Sequence, residues 1–172
     1  MSVSFYDLTI GSYVQILEGL VGVLQKGADH FSANGIDPAE IVETRLIADM
    51  ANLHFQVTSV THHSLGAVGA LESGEFGPPK NPACGYAELQ AMTRQTLDAL
   101  KAKTRAEIDA LAGGKVVFKI GGAEIPFTAQ NFALSFSLPN FYFHATTAYD
   151  ILRMKGVPLG KRDFLGAMKV GG

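Results

Sequence analysis

The stretch Leu138-Pro139-Asn140-Phe141-Tyr142-Phe143-His144-Ala145-Thr146-Thr147-Ala148-Tyr149-Asp150-Ile151-Leu152-Arg153 opens on a proline and is followed by Gly156 and Pro158. Proline suits the first turn of a helix, where its missing N–H costs nothing, and glycine then proline closes one. A last helix from about Pro139 to Lys155 is therefore predicted. At 100° per residue Asn140, His144, Thr147 and Ile151 share one face, which sets polar groups along an otherwise apolar, aromatic-lined helix.

Outward from this helix, the chain reads as more helices and one hairpin. Just before it, Val116, Val117, Phe118 and Ile120 are β-formers, Gly121-Gly122 can take positive φ, and Ala123 to Phe127 returns. Pro126 suits an edge strand, and a lone hairpin is marginal in water, so it should lie on the helices or pair with another chain. The first helix is predicted from Phe5 to about Phe31, stopped at Asn34-Gly35. Asp37-Pro38-Ala39-Glu40 reads as a capped start with a closing capping box. A second long helix is predicted from about Arg45 to Leu71, with Leu46, Ile47, Met50, Leu53, Val57 and Val60 on its inner side. Glu72 to Pro82 holds three prolines and two glycines and must be irregular, and a third helix follows from Tyr86 to Leu111. The tail from Leu159 to Gly166 reads as a loop folded back over the helices. The fold class expected is all-α: an up-down four-helix bundle with a small β-hairpin before the last helix, one domain spanning residues 1–172.

Composition narrows the partners. The chain is 47% hydrophobic and 17% charged, with a net charge of −2. That is neither a disordered chain nor a basic nucleic-acid or anionic-membrane binder. Cys84 is the single cysteine, so no internal disulfide can form. Its place ahead of the third helix could activate the thiol, but an inert thiol is the simpler expectation. The first residues carry no basic segment leading into an apolar one, and no uninterrupted apolar run reaches the length of a membrane span. The expectation is a mature, untargeted, cytoplasmic protein with no membrane partner.

The candidate chemistry lies with histidines. A neutral imidazole has one lone pair, which serves a metal or accepts a proton. His144 could do either, or be a plain buried partner of Thr147 or a backbone carbonyl. On the second helix the wheel turns His54 inward, while the neighbours His62 and His63 diverge by about 100°, so at most one of them should meet a site beneath it. Gln56 and His63 share a further stripe. The expected pocket comprises Asn140, His144, Thr147, Gln56 and Tyr149, with His144, His63 and His54 as the candidate metal ligands and no residue assigned a catalytic role.

The run from Pro139 to Arg153, with Gly156-Val157-Pro158-Leu159-Gly160-Lys161-Arg162-Asp163-Phe164-Leu165-Gly166 and with Asp49-Met50, Phe55-Gln56-Val57 and His63, resembles a bacterial domain-of-unknown-function family grouped with DinB/YfiT-like metalloenzymes. The resemblance covers essentially the whole chain. It implies a four-helix bundle, commonly a homodimer, whose better-known relatives hold a divalent metal, nickel or zinc, with three histidines; some are thiol-dependent transferases or isomerases. Their last helix bears a His-x-x-x-His pair that falls here on Asn140 and His144, so one ligand has become an amide, which binds borderline metals poorly. For the helix-two ligand the resemblance favours His63 and the wheel favours His54. Two functions follow as expectations. One is a metal-dependent or degenerate-metal enzyme acting on an unknown small molecule. The other is a non-catalytic dimeric bundle, without metal, with a ligand-binding or structural polar pocket.

Overall fold

In the computed structural model, which describes residues 3–168 and 170, the chain is mostly helical with one small sheet. Helix α1 (Phe5–Leu8) is capped by Ser4, whose hydroxyl accepts from the Asp7 N–H. At Thr9 the backbone leaves the helical path, and α2 (Ile10–Asn34) follows. The predicted first helix is thus two pieces. Gly35, at φ 62°, closes α2 as expected, with the Ile36 N–H donating to the Phe31 carbonyl.

Asp37 caps α3 (Pro38–Val42) by accepting from the Ala39 N–H. The expected capping box is absent, because the Asp37 carboxylate takes that nearer amide. Residues 43–52 are a loop, tied by a bridge between Arg45 and Asn52, where a helix was expected. Leu46 and Ile47 are exposed rather than inward. The cause is Asn52, whose side chain accepts from the Phe55 N–H and so starts α4 (Leu53–Thr61) late. The helical path then continues through a π-helical turn (His62–Gly66) into α5 (Ala67–Ser73).

The predicted third helix is also two. After α6 (Tyr86–Lys101), Thr104 and Glu107 form a capping box that starts α7 (Arg105–Ala110) on a new axis. The hairpin forms as predicted, with β2 (Lys115–Ile120) antiparallel to β3 (Ala123–Thr128) around Gly121-Gly122. A further strand, β1 (Glu75–Phe76), pairs parallel to β2 and sets Phe76 opposite Phe118. Pro126 lies on the edge strand.

The last helix begins ten residues ahead of Pro139: α8 (Ala129–Asn131) runs through a π-helical turn (Phe132–Ser137) into α9 (Leu138–Met154). Proline cannot donate and its ring crowds the carbonyl four residues back. Next to it the Leu138 N–H reaches five residues back, to Ala133, which is the widened geometry that accommodates Pro139. The tail holds a short helix, α10 (Lys161–Leu165), instead of a plain loop, and it does pack back onto α2. It comes so close that a Cβ at Gly19 would sit 2.5 Å from the Phe164 carbonyl oxygen.

Helix α4 packs on α9 and α2 on α6, and the buried side chains form one cluster. Leu17, Leu20 and Leu24 meet there with Leu53, Val57 and Val60, Leu89 and Leu100, and Phe141 and Leu152. By length and composition Phe5–Asn34 could cross a membrane. Its apolar residues Leu17, Val23 and Leu24 are instead fully buried against the other helices.

A histidine cavity between two helices and the sheet

Helices α4 and α9, the two π-helical turns and the sheet line a cavity of about 460 Å³ that opens to solvent. Its walls are the rings of Phe55, Phe76, Phe118 and Phe136, and its rim carries Ile120 and the segment Gly77-Pro78-Pro79. Phe118 and Ile120 alternate along β2 and so face it together, while Lys119 between them is ion-paired to Glu75. Among the described residues no Asp, Glu, Lys or Arg lines it. The polar groups inside are His62, His63, His144, Asn140 and Ser59.

The hydrogen bonds behind His144 fix its proton. The Gln56 amide NH2 donates to the Ala51 carbonyl, at 3.0 Å, which only a donor can do, so Gln56 turns its Oε1 toward His144. That oxygen only accepts, and it lies 2.7 Å from His144 Nδ1. Nδ1 therefore carries the hydrogen, and in the neutral ring Nε2 keeps its lone pair with no protein partner among the described residues. Burial holds the ring neutral, lowering its pKa to about 4.

His63 is 7% exposed and its ring lies nearly parallel to that of His144, with centroids 5.9 Å apart. Its Nδ1 is buried without a partner among the described residues. Burial first, then the neighbouring His62 and His144, lowers its pKa to about 3. The backbone here is held from below: Ser137 donates to the His63 carbonyl at 2.7 Å, and the Ser137 hydroxyl in turn bonds the buried Tyr13 hydroxyl at 2.8 Å. The two π-helical turns are joined through this chain.

Contrary to the helical wheel, His62 and His63 line the same cavity. A π-helical turn winds more slowly than an α-helix, so neighbouring side chains diverge less. His62 also leans across the rim, stacking on Phe76 at 4.3 Å with its Nε2 bonded to the Gly77 carbonyl at 2.7 Å. Gly66 makes room for it, since a Cβ there would stand 3.0 Å from His62 Nδ1. The Nε2 of His62 is thereby occupied.

Of the residues expected in the pocket, Asn140 and His144 line it and Gln56 stands directly behind. Asn140 donates to the Phe136 carbonyl at 2.7 Å, one turn back along its own helical path. Thr147 is elsewhere: its hydroxyl donates to the Phe143 carbonyl of its own helix. Tyr149 packs edge-on against Phe164 of α10, away from the cavity. Of the expected ligands, His63 and His144 are here, whereas His54 is buried outside the cavity with its Nε2 unpaired. The sequence allowed at most one of His62 and His63 at the site, and the rim segment Gly77-Pro78-Pro79 was not foreseen. Cys84 lies apart, its thiol pushed up by burial and by Glu88, as suits an inert thiol.

The neutral histidines link stability to pH. Unfolded, His63 and His144 take up a proton near pH 6.5; folded, only near 3 and 4. Between those values the unfolded chain binds more protons, so acid favours unfolding. The stability is fully present above pH 6.5 and is lost progressively toward pH 3–4, at up to about 1.4 kcal/mol per pH unit for His63. Urea midpoints should fall from pH 7 to pH 5, above the range where most carboxylates titrate, and fall less in a His63→Gln variant. Equal midpoints at both pH values in the parent protein would contradict this.

The model of a domain of unknown function, DUF1993, matches residues 5–165. The crystal structure of a DinB family member from Shewanella denitrificans is similar at 29% identity and a TM-score of 0.76, covering 97% of this chain and 94% of that one. No curated protein matches.

Proposed function

Since this chain belongs to the DUF1993 family, whose fold here is that of a DinB family member, we propose that it is a DinB-like small-molecule-binding protein with a degenerate metal site. The observation that carries this is the cavity itself. About 460 Å³ falls in the range that holds small ligands, and it offers two imidazole edges that no group among the described residues satisfies. In this reading the four helical rods, α1–α2, α4–α5, α6 and α8–α9, are an up-down four-helix bundle. Homodimerisation in the cytoplasm belongs to the same reading, and the exposed rings of Tyr142 and Phe143 on α9 supply an apolar face for it.

The nickel or zinc expected from the resemblance does not fit the residues present. A catalytic zinc takes three protein ligands. Here Asn140 replaces one, its amide engaged by Phe136, and His62 has turned its Nε2 to Gly77. Among the described residues no three His, Cys, Asp or Glu side chains converge as a metal-holding group. Proton abstraction is also disfavoured: a ring whose conjugate acid sits near pH 4 is a weak base at neutral pH, far from the matched pKa of a general base. What remains is hydrogen-bond acceptance in an aromatic-walled pocket.

Total metal in the untagged protein, grown with nickel and zinc and measured beside a His144→Ala variant, should be well below one ion per chain in both. Near one ion per chain, lost in the variant, would overturn the degenerate-site reading. Light scattering on the same sample should give twice the 18.3 kDa chain mass; a monomer mass would remove the dimer from it.

A further inference from the structure

We infer that the ligand of this cavity is an uncharged one- or two-ring aromatic molecule bearing a hydroxyl or N–H group that donates to His144 Nε2. This rests on the small-molecule-binding reading and adds the chemical class. Three features, independent of one another, select it.

The first is charge. Among the described residues the lining includes no carboxylate, ammonium or guanidinium group, its histidines are held neutral by burial, and Lys119, between Phe118 and Ile120, is on the other face of β2 and paired to Glu75. An ion entering such a place loses its hydration and gains no counter-charge, which is costly. Carboxylates, phosphates and ammonium groups are therefore refused.

The second is the direction of hydrogen bonding. The Ala51 carbonyl fixes Gln56, and Gln56 fixes the proton of His144 on Nδ1, so Nε2 can only accept while the ring is neutral. A ligand that brings another acceptor to it leaves two lone pairs facing each other. One that brings an O–H or N–H completes the chain from Ala51 through Gln56 and His144. Among the described residues no bond fixes the tautomer of His63 beside it, so it can donate to or accept from a second group on the same ligand.

The third is shape. Phe55, Phe76, Phe118 and Phe136 wall the space, and Phe76 meets Phe118, Phe136 and Phe132 at centroid distances of 5.1 to 6.0 Å, so a flat ring extends an existing cluster. Aromatic faces and edges gain beyond their buried area in such arrangements.

Three naphthalenes of matched ring and different substituent test the class: 2-naphthol, 2-methoxynaphthalene and 2-naphthoate. The chain has no tryptophan, so naphthalene fluorescence can be followed without an indole background. At pH 7 the expected order is 2-naphthol at least tenfold tighter than 2-methoxynaphthalene, with 2-naphthoate not bound. In a His144→Phe variant the methoxy compound should still bind and the preference for the naphthol should shrink to about twofold or less. Naphthoate binding as tightly as naphthol, or naphthol and its methyl ether binding alike in the parent protein, would overturn the class while leaving a binding cavity. Failure of all three probes to bind at millimolar concentration would overturn the cavity reading too. The three-probe order is read on the parent protein, so it decides the matter even where the His144 variant does not fold.

Discussion

Phe141→Ala is expected to lower stability by about 3–5 kcal/mol, the range for deleting a fully buried aromatic ring. That is a large part of the roughly 5–15 kcal/mol of a typical domain. Phe141 has no exposed surface and packs edge-on against Tyr13 of α2, with centroids 5.0 Å apart. The hole left behind would have rigid walls, because Tyr13 is held at its far end by Ser137, and Ser137 holds the His63 carbonyl. The loss should therefore loosen the histidine cavity as well as the α2–α9 contact. Phe143, two residues along, is 55% exposed, and Phe143→Ala should cost less than about 1 kcal/mol. Urea denaturation of the two variants checks both numbers. Similar costs for the two would mean that α9 presents a different face to the core.

This contrast also shows what the sequence made legible. On α9 Phe141, Ala145, Ala148 and Ile151 recur at helical spacing and all are buried, while the stripe read from the sequence, Asn140, His144, Thr147 and Ile151, runs beside them. Stops at glycine and the hairpin at Gly121-Gly122 were equally readable, because a positive φ has a local cause. Starts were harder. Asn52 and Thr104 each cap a helix inside a stretch whose apolar spacing suggested continuity, and in both places one side-chain bond to a backbone N–H outweighed the pattern. The spacing recorded which residues prefer burial; the cap decided where the axis could turn.

The cavity was legible only in part for a related reason. His144 and Asn140 sit at helical spacing and were found together. His62 was discarded because an ideal helix sends it away from His63, and the π-helical turn that reunites them leaves no periodic mark. Phe76 and Gly77 come from a segment too rich in proline and glycine for any pattern, and reach the site through a two-residue strand on β2. Tyr149 and Thr147 failed for the opposite reason. They are polar groups at plausible spacing whose partners, Phe164 and the Phe143 carbonyl, lie elsewhere.

Gln56→Glu should raise the His144 pKa from about 4 by about 1–3 units, the range for a charge of opposite sign in contact. The substitution keeps the acceptor 2.7 Å from Nδ1 and adds a negative charge, while replacing the NH2 that served the Ala51 carbonyl with an oxygen that repels it. The second change costs stability, about 1–3 kcal/mol for an unsatisfied carbonyl. The first stabilises the imidazolium and moves the folded pKa back toward the unfolded 6.5, so the loss of stability on acidification that His144 contributes in the parent protein shrinks in the variant. Below the raised pKa Nε2 would carry a hydrogen and donate, and the preference of the cavity should turn from 2-naphthol toward 2-naphthoate. Long-range nitrogen–proton NMR spectra of the imidazoles read all of this directly: in the parent at pH 7, His144 should show a protonated Nδ1 and a bare Nε2. A bare Nδ1 would break the chain from Ala51 to His144, and with it the argument for a ligand that donates.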